Sequence, residues 1–361
     1  MKFIFKQEGT LKMEVLKLND MAKLLHINSD QSKELLDKKI IPNIKKSSNS
    51  RDTYHIPRLL IDYALNMLSL KKPKEFKKFH TDKSSLDIYR NKNGVKVISF
   101  SNLKGGVGKT SIAANFAYNM ALLNKHVLLV DMDSQANSSR YFANRYFTGN
   151  SIKNLFDKMT RKEQIDRDSV KNHIIPIEFC NAGLDLLPSE LSLGRIVEFS
   201  RSVFTMPHKK LNDILKLVKD EYDFIVIDTP PSTGLSLHMA LFASDYVSIV
   251  TDAEDFSVNG LSELNLEIKE IVDETDHTVS VDSIFINKVK KSNIHRVYIE
   301  AIANLAVSEG IENVFTVKDS TRFKESQNMH IPLVEYKKEL EKKLVIADSI
   351  LSYAVEKAME A

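Results

Sequence analysis

The residues with the clearest chemical potential form one glycine-rich segment, SNLKGGVGKTS, at positions 101–111. Its three glycines let the backbone turn so that successive N–H groups face a common point, which suits an anion. Lys109 can neutralise the β- and γ-phosphates of a nucleotide, and the hydroxyl of Thr110 can ligate Mg²⁺. The segment therefore predicts a nucleotide-phosphate site with a bound Mg²⁺.

Short apolar runs, separated by helical segments, must position this loop. The strand-like run KVISF precedes the loop and the helical run IAANFAYNMALL follows it, which is the order that a phosphate loop requires. Runs such as VLLVD and FIVID are apolar on both faces, which is typical of central strands in a parallel sheet. We therefore predict an α/β fold, a mainly parallel twisted sheet flanked by helices, preceded by a small and mostly helical domain. The predicted strands are 95–100, 127–131, 224–228, 246–251 and 281–287.

The loop departs from the standard phosphate-binding pattern at two positions. Leu103 stands where that pattern has glycine, and Lys104 directly precedes the first glycine of the loop. KGGVGKT with this extra lysine resembles the deviant phosphate loop of the ParA/MinD family of ATPases, which includes the nitrogenase iron protein. The resemblance continues through LLVDMDSQANSS and DFIVIDTPPS and covers most of residues 95–355, although Ser134 stands where the family often has proline.

The resemblance implies a role for each matching residue. Lys104 is expected to reach across a homodimer to the nucleotide of the other subunit, which makes dimerisation depend on ATP. Asp133 is expected to orient the attacking water, with a loop cap as the alternative. Asn287 is expected to contact adenine, or else to cap a strand-to-helix loop. The implied catalytic residues are Lys104, Lys109 and Asp133. Those implied for ATP or ADP are Lys104, Gly105, Gly106, Val107, Gly108, Lys109, Thr110, Ser111 and Asn287. Those implied for Mg²⁺ are Thr110, Asp131 and Asp228.

A second resemblance within the family concerns DNA. VKDSTRFKESQNMHIPLVEY resembles a segment in which an arginine precedes a helix on the DNA-facing side of the dimer. Arg322 falls on that position and Lys324 lies two residues later. Nonspecific binding to phosphates requires only exposed positive charge. An ordinary solvated pair of charges is the alternative.

The first 93 residues carry 20 Lys and Arg against 11 Asp and Glu, whereas the rest carry 31 against 37. This basic excess favours a nucleic-acid contact. Residues 16–68 predict two short helices, a basic two-strand tip and a third helix, which resembles a MerR-like winged helix-turn-helix, although small helical hairpins also serve oligomerisation. The predicted DNA contacts are Gln31, Ser32, Lys33, Lys45, Lys46 and Arg51. The predicted divisions are a DNA-binding domain at 1–70, a linker at 71–93 and an ATPase domain at 94–361.

The resemblance as a whole implies a plasmid partition ATPase. Such a protein forms an ATP-dependent sandwich dimer, binds nonspecific DNA, hydrolyses ATP slowly until a centromere-binding partner stimulates it, and represses its own operon through the N-terminal domain. Two alternatives stay open, a nucleotide-gated transcription regulator without a segregation role and a MinD-like division regulator. The end SYAVEKAMEA has few of the bulky apolar and basic residues of a membrane-binding helix. The lone Cys180 excludes cysteine-ligated clusters, and we expect a cytoplasmic, nucleoid-associated protein without membrane contact.

Overall fold

The computed structural model describes residues 15–16, 56–57, 94–143, 150–177, 183–275, 277–335 and 348–360. The first two pieces are strands β1 (Val15–Leu16) and β2 (Ile56–Pro57), which pair antiparallel. Strand β1 lies at the start of residues 16–68, where the winged helix-turn-helix is predicted, and β2 lies within them. The linker at 71–93 lies outside the described residues, and so do the predicted DNA contacts Gln31, Ser32, Lys33, Lys45, Lys46 and Arg51.

An eight-stranded sheet forms the centre of the described structure. In chain order its strands are β3 (Lys96–Ser101), β4 (Val127–Asp131), β5 (Ile175–Pro176), β6 (Leu184–Leu187), β7 (Phe224–Asp228), β8 (Tyr246–Asp252), β9 (Ser280–Val289) and β10 (Asn313–Lys318). Across the sheet the order is β10-β9-β8-β3-β7-β4-β6-β5, and every neighbouring pair is parallel except β5 with β6. The predicted parallel α/β sheet is confirmed, and the five predicted strands match β3, β4, β7, β8 and β9.

Helices connect the strands and cover both faces of the sheet. Among the described residues they are α1 (Lys109–Leu122), α2 (Asn137–Ala143), α3 (Ile152–Thr160), α4 (Arg167–Lys171), α5 (Leu193–Val203), α6 (Lys210–Leu215), α7 (Leu235–Ala243), α8 (Asp255–Glu274), α9 (Asn293–Ser308), α10 (Thr321–Asn328) and α11 (Asp348–Glu360). None of these helices is both long enough and apolar enough to cross a membrane.

Strand β4 shows why helices are needed on both faces. Val127 and Leu129 belong to an apolar cluster that includes residues of α1 and α11, whereas Leu128 and Val130 belong to a second cluster with residues of α3, α5, α6 and α7. Successive side chains of a strand point to opposite faces. All of β4 is buried because each face has its own layer of helices.

The last helix, α11, is anchored to the phosphate-loop side of the sheet. The ring of Tyr353 lies 5.0 Å from the ring of Phe116 in α1. The Tyr353 hydroxyl donates to Oδ2 of Asp282 at 2.6 Å, and Lys357 Nζ lies 2.5 Å from Oδ1 of the same carboxylate. Both Asp282 oxygens therefore have partners in a poorly hydrated position, where an unpaired charge would be costly.

The carboxyl ends of the central strands meet at one edge of the sheet. Asp228 at the end of β7 lies in register with Phe100 of β3 on one side and with Asp131 of β4 on the other. In parallel α/β sheets, ligands bind beyond this edge, where loops lead from strands into helices. The phosphate loop and the loop that carries Asp133 both begin at this edge.

Candidate functional site

The loop between β3 and α1 has the backbone shape that its glycines predict. Gly106 and Gly108 have φ angles of 74° and 100°, in the left-handed region that favours glycine. Gly108 directly precedes α1, and a Cβ atom there would lie 2.3 Å from Nδ2 of Asn287. The N-terminus of the 14-residue α1 follows this turn, so its N–H groups and dipole favour an anion in the loop.

A cavity of about 590 Å³ opens beside the loop. Its lining includes seven residues that were predicted to bind nucleotide or to act on it: Gly106, Gly108, Lys109, Thr110, Ser111, Asp133 and Asn287. Asp131 and Asp228 are fully buried and do not line it. Sequence reasoning missed further lining residues, among them Gln135, Arg140, Lys288, Lys318, Phe323, Gln327 and His330. They come from segments far apart in the chain, and only the strand order brings them together.

Asn287 and Lys288, at the end of β9, hold the loop from its other side. Asn287 Nδ2 donates to the carbonyl of Val107 at 2.8 Å, and Lys288 Nζ donates to the carbonyl of Gly106 at 2.6 Å. Oδ1 of Asn287 is buried and has no hydrogen-bond partner within the described residues. A buried acceptor of this kind fits a ligand that supplies a donor, such as an exocyclic amino group of a base.

Lys109 is the buried cation of the site. Its side chain is largely shielded from solvent, and Nζ donates to the carbonyl of Lys104 at 3.2 Å. Burial lowers the pKa of Lys109, although the charges of Asp228 and Asp133 oppose this shift. Bound nucleotide phosphates would therefore contact the poorly hydrated ammonium group of Lys109 and stabilise its charged form.

Two carboxylates lie side by side beneath the loop. Burial and the charge of Asp228 raise the pKa of Asp131 to about 8, even though Ser139 donates hydrogen bonds to it. Burial also raises the pKa of Asp228 to about 6, while hydrogen bonds from Ser138 and Thr110 oppose the shift. A cation bound next to the pair would favour the ionised form of both acids.

The donor set fits a nucleotide with Mg²⁺. Oδ1 of Asp228 is buried without a hydrogen-bond partner among the described residues, which leaves one carboxylate oxygen for a metal-bound water. The hydroxyl of Thr110, at the start of α1, hydrogen bonds to the same carboxyl group. Mg²⁺ commonly takes one or two protein oxygens together with phosphate oxygens and waters. Asp131 is less suited to this role, because its two oxygens accept hydrogen bonds from Asp133 in the following loop and from Ser139 in α2.

Asp133 lies on that loop and reaches the cavity. Its Oδ1 accepts a hydrogen bond from the N–H of Gln135 at 2.9 Å. Burial raises the pKa of Asp133, while the Gln135 N–H and the charge of Lys109 lower it. The geometry thus allows both roles that the sequence left open, because Asp133 caps its own loop with one oxygen and also faces the cavity.

Lys104 does not line the cavity of its own chain. Its Nζ lies 2.9 Å from Oδ1 of Asp252, the last residue of β8, and 2.6 Å from Oε2 of Glu254, two residues later. Burial would lower the pKa of Lys104, but the hydrogen bonds to Glu254 and Asp252 outweigh it and raise the pKa. The lysine is therefore fully charged and is directed away from the adjacent phosphate site.

The two predicted DNA contacts on α10 lie in different surroundings. Lys324 is exposed and lines the rim of the cavity, whereas Arg322 is half-buried and does not line it. Helix α10 is tied to the phosphate-loop helix, because Gln327 Nε2 donates to the hydroxyl of Ser111 at 2.7 Å. The segment that carries Arg322 therefore contacts the nucleotide site directly.

Comparison with known proteins agrees with this geometry. The family described as an AAA domain matches residues 95–281. A virulence plasmid ParA family protein of Chlamydia psittaci is 30% identical over 56% of this chain and 81% of its own length.

Solved structures show the same similarity. The chain superimposes on apo McdA of Cyanothece with a TM-score of 0.62 and 20% identity, covering 72% of this chain and 99% of that one. At this level of identity the similarity shows a shared fold alone. It also superimposes on a plasmid partition protein of Borrelia burgdorferi bound to AMPPNP, with a TM-score of 0.54 and 27% identity over 73% of this chain and 99% of that one.

Proposed function

We propose that this chain, which belongs to the ParA-type family of P-loop ATPases, is a DNA partition ATPase that works as an ATP-dependent dimer on nonspecific DNA. The observation that carries the proposal is the position of Lys104. Lys104 lies in the phosphate loop, yet its ammonium group forms ion pairs with Asp252 and Glu254, outside the cavity of its own chain. A lysine placed in this way is available to a nucleotide bound by a second copy.

The residues of the cavity and the buried Asp228 would then each serve one step of hydrolysis. The N–H groups of the loop and Lys109 would hold the phosphates of ATP. Thr110 and Asp228 would hold Mg²⁺, which neutralises charge on the transferred phosphoryl group. Asp133 would accept a hydrogen bond from the attacking water and orient it toward the γ-phosphorus. Arg140 lines the same cavity, but its guanidinium group donates to Oδ1 of Asn137 at 2.7 Å. We expect slow turnover without a partner.

Dimerisation would create the DNA-binding form. Arg322 and Lys324 supply positive charge on α10, and two copies in a dimer present it twice, which strengthens binding to one duplex. We further propose that the basic N-terminal segment reads an operator, and that a centromere-binding partition protein stimulates hydrolysis and so releases the dimer from DNA. This cycle would place the protein on the nucleoid.

The test measures ATP hydrolysis and DNA binding by the full chain. We expect slow turnover alone, faster turnover with random-sequence DNA and a centromere-binding partition protein, and DNA binding only with ATP. Lys109→Ala should abolish nucleotide binding, because it removes the cation aimed at the β- and γ-phosphates.

Lys125→Ala is the matched control. Lys125 is also buried, with a pKa that burial lowers, but it pairs electrostatically with Asp223 away from the cavity. The Lys125→Ala variant should therefore retain nucleotide binding. Hydrolysis without any ATP-dependent DNA binding would contradict the partition role, and the absence of hydrolysis would contradict the enzyme itself.

A further inference from the structure

Helix α2, which follows the loop of Asp133, begins without a capping side chain of its own. The residue before its first turn is Ala136, whose φ is 54° and whose methyl group cannot accept a hydrogen bond. Instead, Oδ2 of Asp131 accepts a hydrogen bond from the N–H of Ser139 at 2.8 Å. A carboxylate at the end of β4 thus supplies the acceptor that an N-cap residue normally supplies.

The hydroxyl of Ser139 reinforces this link. It donates to Oδ2 of Asp131 at 2.7 Å and accepts a hydrogen bond from the N–H of Ser189 at 2.8 Å. Ser139 is fully buried. The buried hydroxyl therefore both donates and accepts a hydrogen bond, and these two bonds hold it in a single orientation.

The other oxygen of Asp131 continues the chain of contacts to Asp133. Oδ1 of Asp131 accepts a hydrogen bond from the N–H of Asp133 at 3.1 Å. The carbonyl of Asp133 accepts from the N–H of Ala136 at 2.9 Å, and its carboxylate accepts from the N–H of Gln135. The direction of the Asp133 carboxylate therefore depends on a loop that Asp131 holds at both ends.

We propose that Ser139 is a positioning residue for ATP hydrolysis. Acting through Asp131, its hydroxyl fixes the loop so that the carboxylate of Asp133 faces the cavity. The inference rests on the proposed function, in which Asp133 orients water. Ser139 itself does not line the cavity, and Lys109, which would bind the phosphates, lies at the start of α1. Loss of the hydroxyl should therefore affect turnover much more than nucleotide affinity.

The experiment compares Ser139→Ala and Ser139→Thr in the full chain. We expect the alanine variant to lower kcat about 10- to 100-fold, since a shift of about 1 Å in a catalytic group can cost that much. Its affinity for ATP, measured with a fluorescent analogue, should change less than about twofold. Threonine retains the hydroxyl and should restore most of the rate. Ser139→Cys, nearly the same size but a weak donor, replaces the alanine variant if that one does not fold.

Ser244→Ala is the control for losing a buried serine hydroxyl. Ser244 is fully buried at the end of α7, and its hydroxyl donates to the carbonyl of Ala240, away from the cavity. This variant should keep both kcat and ATP affinity.

A double variant separates positioning from general damage. If Ser139 acts through Asp133, then Asp133→Ala combined with Ser139→Ala should keep the same residual rate of ATP hydrolysis, measured in a single turnover, as Asp133→Ala alone. An additive loss, an equal loss of ATP affinity, or an unchanged kcat in Ser139→Ala would overturn the inference while leaving the ATPase assignment intact. A wild-type protein without turnover would instead overturn the proposed function, and this inference with it.

Discussion

Replacing Asp252 by Asn tests the assignment of Lys104 to the nucleotide of a second subunit. In the structure, Lys104 must leave Asp252 and Glu254 before it can cross a dimer interface. Asp252 is 9% exposed and Glu254 is 60% exposed, so solvent screens the Asp252 pair less. An ion pair near the surface contributes up to about 1 kcal/mol.

When a dimer forms, Lys104 must leave its carboxylate partners in both subunits, so two such ion pairs are broken. The Asp252→Asn variant should therefore gain about 1–2 kcal/mol of dimer stability, which corresponds to a fall in the dimer dissociation constant of about 5- to 30-fold. Because Glu254 is more exposed, Glu254→Gln should have a smaller effect. Both effects should shrink at high salt, which already weakens the pairs in the free subunit.

Sedimentation velocity with a slowly hydrolysed ATP analogue measures the dimer dissociation constant. Asp157→Asn is the matched control, because it removes an ion pair at 2.8 Å with Arg161, the residue after α3, without touching Lys104. The control should leave the dimer unchanged. A dimer that is unaffected or weaker in Asp252→Asn would mean that Lys104 acts from its present position, and the reasoning about a second subunit would be wrong.

Five further changes have distinct expected results. Gly108→Ala should weaken ATP binding at least about tenfold by calorimetry, because the new Cβ meets a side chain and φ is positive. Gly310→Ala, with a φ of 73° but open space, should leave ATP binding unchanged. Asp133→Ala should keep ATP binding and dimerisation but lose phosphate release in a turnover assay. Arg322→Glu should weaken binding to random-sequence DNA and flatten its salt dependence by about one phosphate contact per subunit, seen by anisotropy. Deleting residues 1–93 should remove operator specificity in a gel shift while ATP-dependent nonspecific binding remains.

The sequence was most informative where one short segment contains both the chemistry and its support. The phosphate loop needs a strand, a positive-φ glycine and a helix start in that order, and all three are adjacent between Lys96 and Leu122. Strands β4 and β7 were predicted with their observed ends because they are apolar on both faces and finish in a carboxylate. Local sequence is sufficient for such features.

Contacts between distant segments could not be predicted in this way. Asn287 was assigned to adenine by resemblance, but its bond to the carbonyl of Val107 spans 180 residues and depends on β9 lying two strands from β3. The pairing of Lys104 with Asp252 spans 148 residues. Strands β5, β6 and β10 were not predicted. Strands β5 and β6 have only two and four residues, which carry little periodic signal, whereas β10 has six residues at the edge of the sheet.

The strand order also has a consequence for how the chain is made. Both neighbours of β3 in the sheet, β7 and β8, are synthesised later, and β7 begins 123 residues after β3 ends. At roughly 5–20 residues per second, the ribosome leaves β3 without either partner for roughly 6–25 seconds. During that time both edges of an apolar strand are open to other chains, and pairing across such a distance is slow. The phosphate loop is thus translated early and folds late, and nascent chains that stall before residue 224 should depend on chaperones to stay free of aggregates.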